Sequence, residues 1–282
     1  MQIVLRKLAL TLAATLVAVL PAVAQAPTKS TLDVVLERGV LRAGVTKTVP
    51  YFGFIDEAGN HVGFDYDIVA EIARRLKVKL EVEPVTSSSR IPMLQQSRID
   101  LVAATMTHYR ERDKAIDFSV GYFYSPMTLL VKKSSGIKSV ADLAGKRAGA
   151  DIGSGSIKYF KIAQPNATMQ TFEGFEECFL GLQNGLIDAI TTDAVILAGL
   201  KASAPNPDDY VVLFNQEAIY SGGEYGIGIR ENDSKWRDQI NFLLMDMWKD
   251  GTWDKIFNKW IGPGTKLNLK KEEIGFQMVT WE

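Results

Sequence analysis

Short β-type runs alternate with helical patterns along nearly the whole chain, and this alternation restricts the fold more than any other feature. The helical TLDVVLERG ends at Gly39 and is followed by the β run VLRAGV, while YFGFID, the turn EAGN and HVGF carry a hairpin signal. FDYDIVAEIARRL then places Phe64, Ile68, Ile72 and Leu76 at helical spacing. VKLEVEPV predicts a strand, RIPMLQQ a helix and IDLVAAT a strand. The second half repeats the order, with SVADLAG helix, RAGAD strand, SIKYFKI helix, TMQTF strand, GFEECFLGLQNG helix, IDAITT strand and AVILAGL helix. Such a series predicts βαβ units on a largely parallel sheet, an α/β fold. At about 150 residues per domain, 282 residues make roughly two domains.

A short internal repeat supports two similar halves. LQQSRID at 94–100 and LQNGLID at 182–188 share Leu, Gln, Ile and Asp at one spacing, 88 residues apart, each a helix end feeding a strand. Ligands of such sheets sit where the carboxyl ends of the strands face a crevice.

Composition removes several function classes. Lys plus Arg number 32 against 33 Asp plus Glu, so no basic excess exists to neutralise a phosphate backbone, and no nucleic-acid partner is expected. Arg6 and Lys7, a 13-residue apolar run at 8–20 and the small-residue signal Ala22-Val23-Ala24 predict a signal peptide over 1–24, cleaved near Ala24, and hence export. The run is shorter than the ~20 residues a membrane span needs. Cys178 is the only cysteine, which forbids an internal disulfide, and His61 and His108 are the only histidines. Neither a zinc site nor a Ser-His-Asp arrangement is expected, and no metal or cofactor is predicted.

The candidate chemistry follows the strands. After IDLVAAT come Thr105, Met106 and Thr107, then HYRERDKAIDFS with Arg112; hydroxyls, N–H groups and a guanidinium in such a place suit a carboxylate. Alternatively, residues 110–113 are a solvated charge run. After the repeated strand stand Thr191, Thr192 and Asp193, where Asp193 is either a helix N-cap or the receiver of an ammonium group. In DIGSGSIKYF, Ser154, Gly155 and Ser156 present N–H groups at the positive end of a helix, without the residues of a P-loop.

Taken in order, GFDYDIVAEIA, TSSSRIP, LVAATMTHYRERDKAIDFSVGYFYS, IGSGS, DAITTDAVILAGL, EYGIGI and WDKIFNKWIG resemble the polar amino-acid-binding proteins of bacterial ABC importers, from about residue 32 to 262. The resemblance implies a type II periplasmic binding protein, with two α/β lobes joined by two hinge crossings near 122–126 and 222–226. Lobe 1 would comprise 25–126 and 223–282, and lobe 2 residues 127–222. It implies that the α-carboxylate of a free amino acid is held by Arg112, Thr107 and the N–H groups of Thr105 and Gly155, beside Ser154, and that Asp193 receives the α-ammonium. Tyr51 or Phe52 would pack on the ligand. The protein would act as a periplasmic monomer delivering its ligand to an inner-membrane permease, and would not be an enzyme.

Side-chain specificity is mixed in the resemblance. TSSSRIP resembles the segment of glutamate/aspartate binders in which Ser87 and Arg90 meet the distal carboxylate, but the Arg that those proteins carry after their first strand is absent around Thr46 and Lys47. Their second-lobe His falls near Phe175, and Asp151 stands where glutamine binders carry Lys. The expected order is glutamate or aspartate, then glutamine or asparagine, above lysine and arginine. The competing class is a cyclohexadienyl dehydratase-like enzyme on the same fold, for which Asp151 and Glu224 are the candidate acids.

Overall fold

The computed structural model describes residues 29–281; the expected signal peptide lies outside them. Helix α1 (Thr31–Arg38) starts where the Ser30 hydroxyl accepts the Leu32 N–H and stops at Gly39, whose φ of 69° turns the chain into the left-handed region. Strands β1 (Val40–Val45), β2 (Thr48–Val49), β3 (Gly53–Ile55) and β4 (His61–Val62) follow, then α2 (Phe64–Leu76), β5 (Lys79–Pro84), α3 (Arg90–Gln95) and β6 (Leu101–Val102). A 16-residue strand, β7 (Asp117–Lys132), leads into β8 (Arg147–Asp151), α4 (Ser156–Ala163), β9 (Thr168–Phe172), α5 (Phe175–Gln183), β10 (Ala189–Asp193), α6 (Ala194–Ala202) and β11 (Tyr210–Val212). Finally β12 (Ser221–Ile229), α7 (Ser234–Lys249) and α8 (Thr252–Trp260) return the chain to its first half, where β12 pairs with β6 and α8 packs on α2.

One nine-stranded sheet runs through the molecule in the order β5-β1-β6-β12-β7-β10-β8-β9, with β11 beside β7. Only the outer strands of each half are parallel. The central pairs β6–β12, β12–β7 and β7–β10 are antiparallel, which replaces the largely parallel sheet expected. The cause is β7. Its first part pairs with β12 from Asp117 to Met127 and its last part with β10 from Met127 to Val131, so a single strand serves both lobes. These paired strands are the two crossings of the type II periplasmic fold. Two further expectations shrink: SVADLAG gives only a 3₁₀ turn, Ala141–Leu143, since the Asp142 carboxylate accepts the Lys138 and Ser139 N–H groups and Gly145 (φ 73°) ends it. β6 keeps two residues because the chain leaves the sheet to build the cleft.

The repeated segments occupy equivalent places. The Asp100 carboxylate accepts the Arg42 N–H at 2.8 Å and that of Asp188 accepts the Arg147 N–H at 2.9 Å. Each aspartate thereby pins the start of its own strand to a neighbouring parallel strand that reads Arg-Ala-Gly, at 42–44 and at 147–149. The glycine makes room in both for the isoleucine of the repeat, since a Cβ would lie 2.7 Å from Ile99 Cδ1 at Gly44 and 2.3 Å from Ile187 Cδ1 at Gly149. Under the crossings, Phe52, Phe64, Phe123 and Tyr225 form a fully buried aromatic cluster, and the Trp253 indole N–H donates to the Tyr122 carbonyl at 2.8 Å.

Candidate functional site

Between the lobes lies a narrow cavity, with about 10 Å³ open to water, lined by Ser87, Arg90, Thr105, Thr107 and Arg112 from one side, Met127 at the crossing, and Ser154, Gly155, Phe175, Thr192, Asp193 and Ile196 from the other. Eight of the ten residues expected from the sequence are therefore brought together. Tyr51 and Phe52 are not. Phe52 is fully buried, its ring 5.3 Å from that of Phe123 and 5.8 Å from that of Phe64, because the turn at 50–52 carries it inward beneath the crossings. Tyr51, at φ 69°, packs against Gly199 on α6. Phe175, at the start of α5, supplies the aromatic wall instead. Met127, Thr192 and Ile196 complete the lining, and of these only Thr192, adjoining Asp193, carried a sequence signal.

Arg112 sits in a 3₁₀ turn that aims it inward while Arg110, Glu111 and Asp113 stay exposed, so the residues at 110–113 are not a uniformly solvated run. Its Nη1 donates to the Thr107 carbonyl at 2.6 Å and its guanidinium carbon lies 5.1 Å from the centre of the Tyr109 ring. Asp193 occupies the N-cap position of α6, yet its side chain makes no capping hydrogen bond. It lines the cavity, where its buried Oδ1 lies beside the Tyr225 hydroxyl without a well-formed hydrogen bond between the two. Burial pushes the Asp193 carboxyl up to about 7, against the pull of the Tyr225 hydroxyl and, after it, of Arg112 and Arg90.

Arg90, 3% exposed, donates Nη1 to the Ala104 carbonyl at 2.6 Å and leaves Nε unpartnered; burial lowers its guanidinium to about 9. It forms no ion pair with Asp65. Asp151, on the last residue of β8, stands beside the Ser87 hydroxyl within electrostatic reach of Arg90, and burial raises its carboxyl to about 6. Thr105 lines the cavity, but its N–H is bonded to the Asp65 carboxylate at 2.8 Å and is not free for a ligand, contrary to the sequence-based expectation. Thr46 is tied to the hairpin, its hydroxyl donating to the Gly53 carbonyl at 3.2 Å.

The lobes touch across the cleft. The Tyr109 and Tyr159 rings are 4.8 Å apart, Lys158 pairs with Glu111, and a Cβ on Gly153 would lie 2.7 Å from the Ser87 backbone. A Cβ on Gly155 would lie 2.4 Å from the Tyr109 ring, so the start of α4 must be glycine for the tyrosine to lie over it.

A family model for the bacterial extracellular solute-binding proteins, family 3, matches residues 41–263. The chain belongs to this family. It is 37% identical to the ABC transporter glutamine-binding protein GlnH of Bacillus subtilis, over 83% of this chain and 85% of that protein. Among solved structures, an ancestral arginine-binding protein bound to glutamine superposes with a TM-score of 0.74 at 40% identity, over 80% of this chain and 99% of that one. The ancestral amino acid-binding protein AncCDT-1, a precursor of cyclohexadienyl dehydratase, gives 0.75 at 34% identity, over 83% and 100%. This family 3 protein thus shares its fold with proteins named for more than one amino acid, and the lining of its own cavity must carry the choice among them.

Proposed function

We propose that this protein is the periplasmic receptor of an ABC importer, a monomer that captures a free polar amino acid by hinge closure and hands it to an inner-membrane permease. Lobe 1 comprises residues 25–126 and 223–282 and lobe 2 residues 127–222, with the signal peptide removed near Ala24. The observation that carries this reading is that the buried Asp193 carboxyl and the Arg112 guanidinium line one inter-lobe cavity with no ion pair between them. Arg112, the Thr107 hydroxyl, the Gly155 N–H and the Ser154 hydroxyl take the α-carboxylate, and Asp193 with Thr192 takes the α-ammonium. Arg90 and Ser87 then face the side chain, with Asp151 beside the Ser87 hydroxyl. Because the zwitterion's two charges match Arg112 and Asp193, and because Arg90 is countered by Asp151, a neutral carboxamide is the best electrostatic fit. We therefore place glutamine first, followed by glutamate and asparagine, above lysine and arginine.

The glutamine-binding relative GlnH supports placing glutamine first. An enzymatic reading has less support: neither Asp151 nor the exposed Glu224 lines the cavity, and Asp193 is the only lining carboxylate among the described residues. Thermal shift against the 20 amino acids tests the proposal. Glutamine is expected to raise Tm most and to be recovered unchanged; a larger shift with arginine or lysine would reverse the specificity assignment.

A further inference from the structure

Asp65 lies outside the cavity lining yet touches the elements that shape it. It sits in the first turn of α2 and is fully buried. Its Oδ2 accepts the Thr105 N–H at 2.8 Å, its Oδ1 accepts the hydroxyl of Tyr122 on β7 at 2.8 Å, and its own N–H donates to the Phe52 carbonyl at 2.9 Å. No ion pair with a cation accompanies it among the described residues, although Arg90 lies within electrostatic reach and the Tyr225 hydroxyl neighbours the network.

A buried carboxylate without a paired cation is costly, so its hydrogen-bonding partners must account for its presence. One of them is unusual. Thr105 is a β-branched residue at φ 45°, a left-handed backbone that such residues avoid, and it sits in the cavity wall. The other partner is on the crossing strand.

We infer that Asp65 is a positioning residue for ligand capture: its carboxylate holds Thr105 in the left-handed backbone that forms the cavity wall and fastens that wall to the crossing strand through Tyr122. The effect on affinity rests on the amino-acid reading above, whereas the hold on Thr105 does not require it. Asp65 need not meet the ligand, because a wall displaced by a fraction of an ångström misplaces Thr107 and Arg112 two and seven residues further on.

Calorimetry with glutamine, combined with amide hydrogen exchange of the ligand-free protein, tests this. Asp65→Ala is expected to weaken glutamine binding by about 30-fold and to speed exchange of the Thr105 amide, while Asp65→Asn, which still accepts that N–H, restores most of the affinity. On a Thr105→Gly background, Asp65→Ala is expected to cost no more than about threefold, since glycine adopts positive φ without a tether. Equal losses on both backgrounds, with unchanged exchange at Thr105, would reduce Asp65 to a packing residue and overturn the inference. Should Asp65→Ala fail to fold, the wild-type Thr105 amide decides: protection close to that of the core strands supports the tether, and exchange as fast as that of exposed loop amides overturns it. A wild-type protein that binds no amino acid while keeping Thr105 protected would sink the functional reading and sustain the role of Asp65.

Discussion

At the scale of single residues, the proposed site sets Arg112 and Asp193 in one cavity, where a zwitterionic ligand would supply the opposite charge to each. Truncating Arg112 or Asp193 to Ala is expected to weaken glutamine binding by about 2–5 kcal/mol, because the opposite charge of the ligand then stays buried and unpaired. A folded Arg112→Ala variant with near-normal affinity in calorimetry would show that the arginine is dispensable. The Asp193 carboxyl also makes capture depend on pH. Burial places it at about 7 in the free protein, whereas an ammonium needs the ionised form, so binding in mildly acidic solution must expel a proton. Affinity is expected to fall from pH 8 to pH 5, by up to about tenfold per unit below 7, with a buffer-dependent enthalpy that Asp193→Asn abolishes. Stability of the free protein runs the other way: Asp65 and Asp193 both titrate near 7 when folded and near an ordinary carboxylate value when unfolded, so the folded state binds more protons between these limits. Urea midpoints should therefore gain from these two groups as pH falls from about 7 to 4, and variants lacking both carboxylates should lose that gain.

At the scale of elements, spacing predicted what local patterning controls. α2 spans the segment FDYDIVAEIARRL given by its apolar spacing, and Ile72 is fully buried within it; Ile72→Ala should cost about 2–5 kcal/mol by urea denaturation, chiefly through the cavity left behind. What spacing missed were elements defined by their neighbours. Beyond β6 the Thr105 N–H is held by Asp65, an interaction over 40 residues that no window contains. The start of α4 is a second case. Its Gly155 is required by the Tyr109 ring from the other lobe, so Gly155→Ala should lower ligand affinity about tenfold or more while leaving the isolated helix, and hence Tm, close to wild type. A large drop in Tm would show that the glycine serves the lobe rather than the closure.

At the scale of the whole molecule, the lobes meet through Tyr109 against Tyr159, the exposed Glu111–Lys158 pair, Gly153 against the Ser87 backbone and Tyr51 against Gly199 of α6. The exposed pair contributes at most about 1 kcal/mol, and a ligand shifts the lobes toward closure only through differential affinity for the closed form. Small-angle scattering should show a smaller radius of gyration with saturating glutamine, and an unchanged radius would argue against hinge closure. The sequence by itself determined the α/β class, the order of elements, the duplicated halves and eight of the cavity residues. It could do so because periodicity, turn chemistry and the residues flanking strand ends are local. Tertiary structure alone decided three other matters. It made β7 one strand for both lobes; it buried Phe52 under the crossings and brought in Phe175; and it packed Phe276 of the C-terminal tail on Trp248 at 5.5 Å, in a stretch with no readable pattern. The physical reason is the same in each case: which partner a strand, ring or buried carboxylate meets depends on contacts between residues tens to more than a hundred positions apart, and those contacts exist only once the lobes have packed.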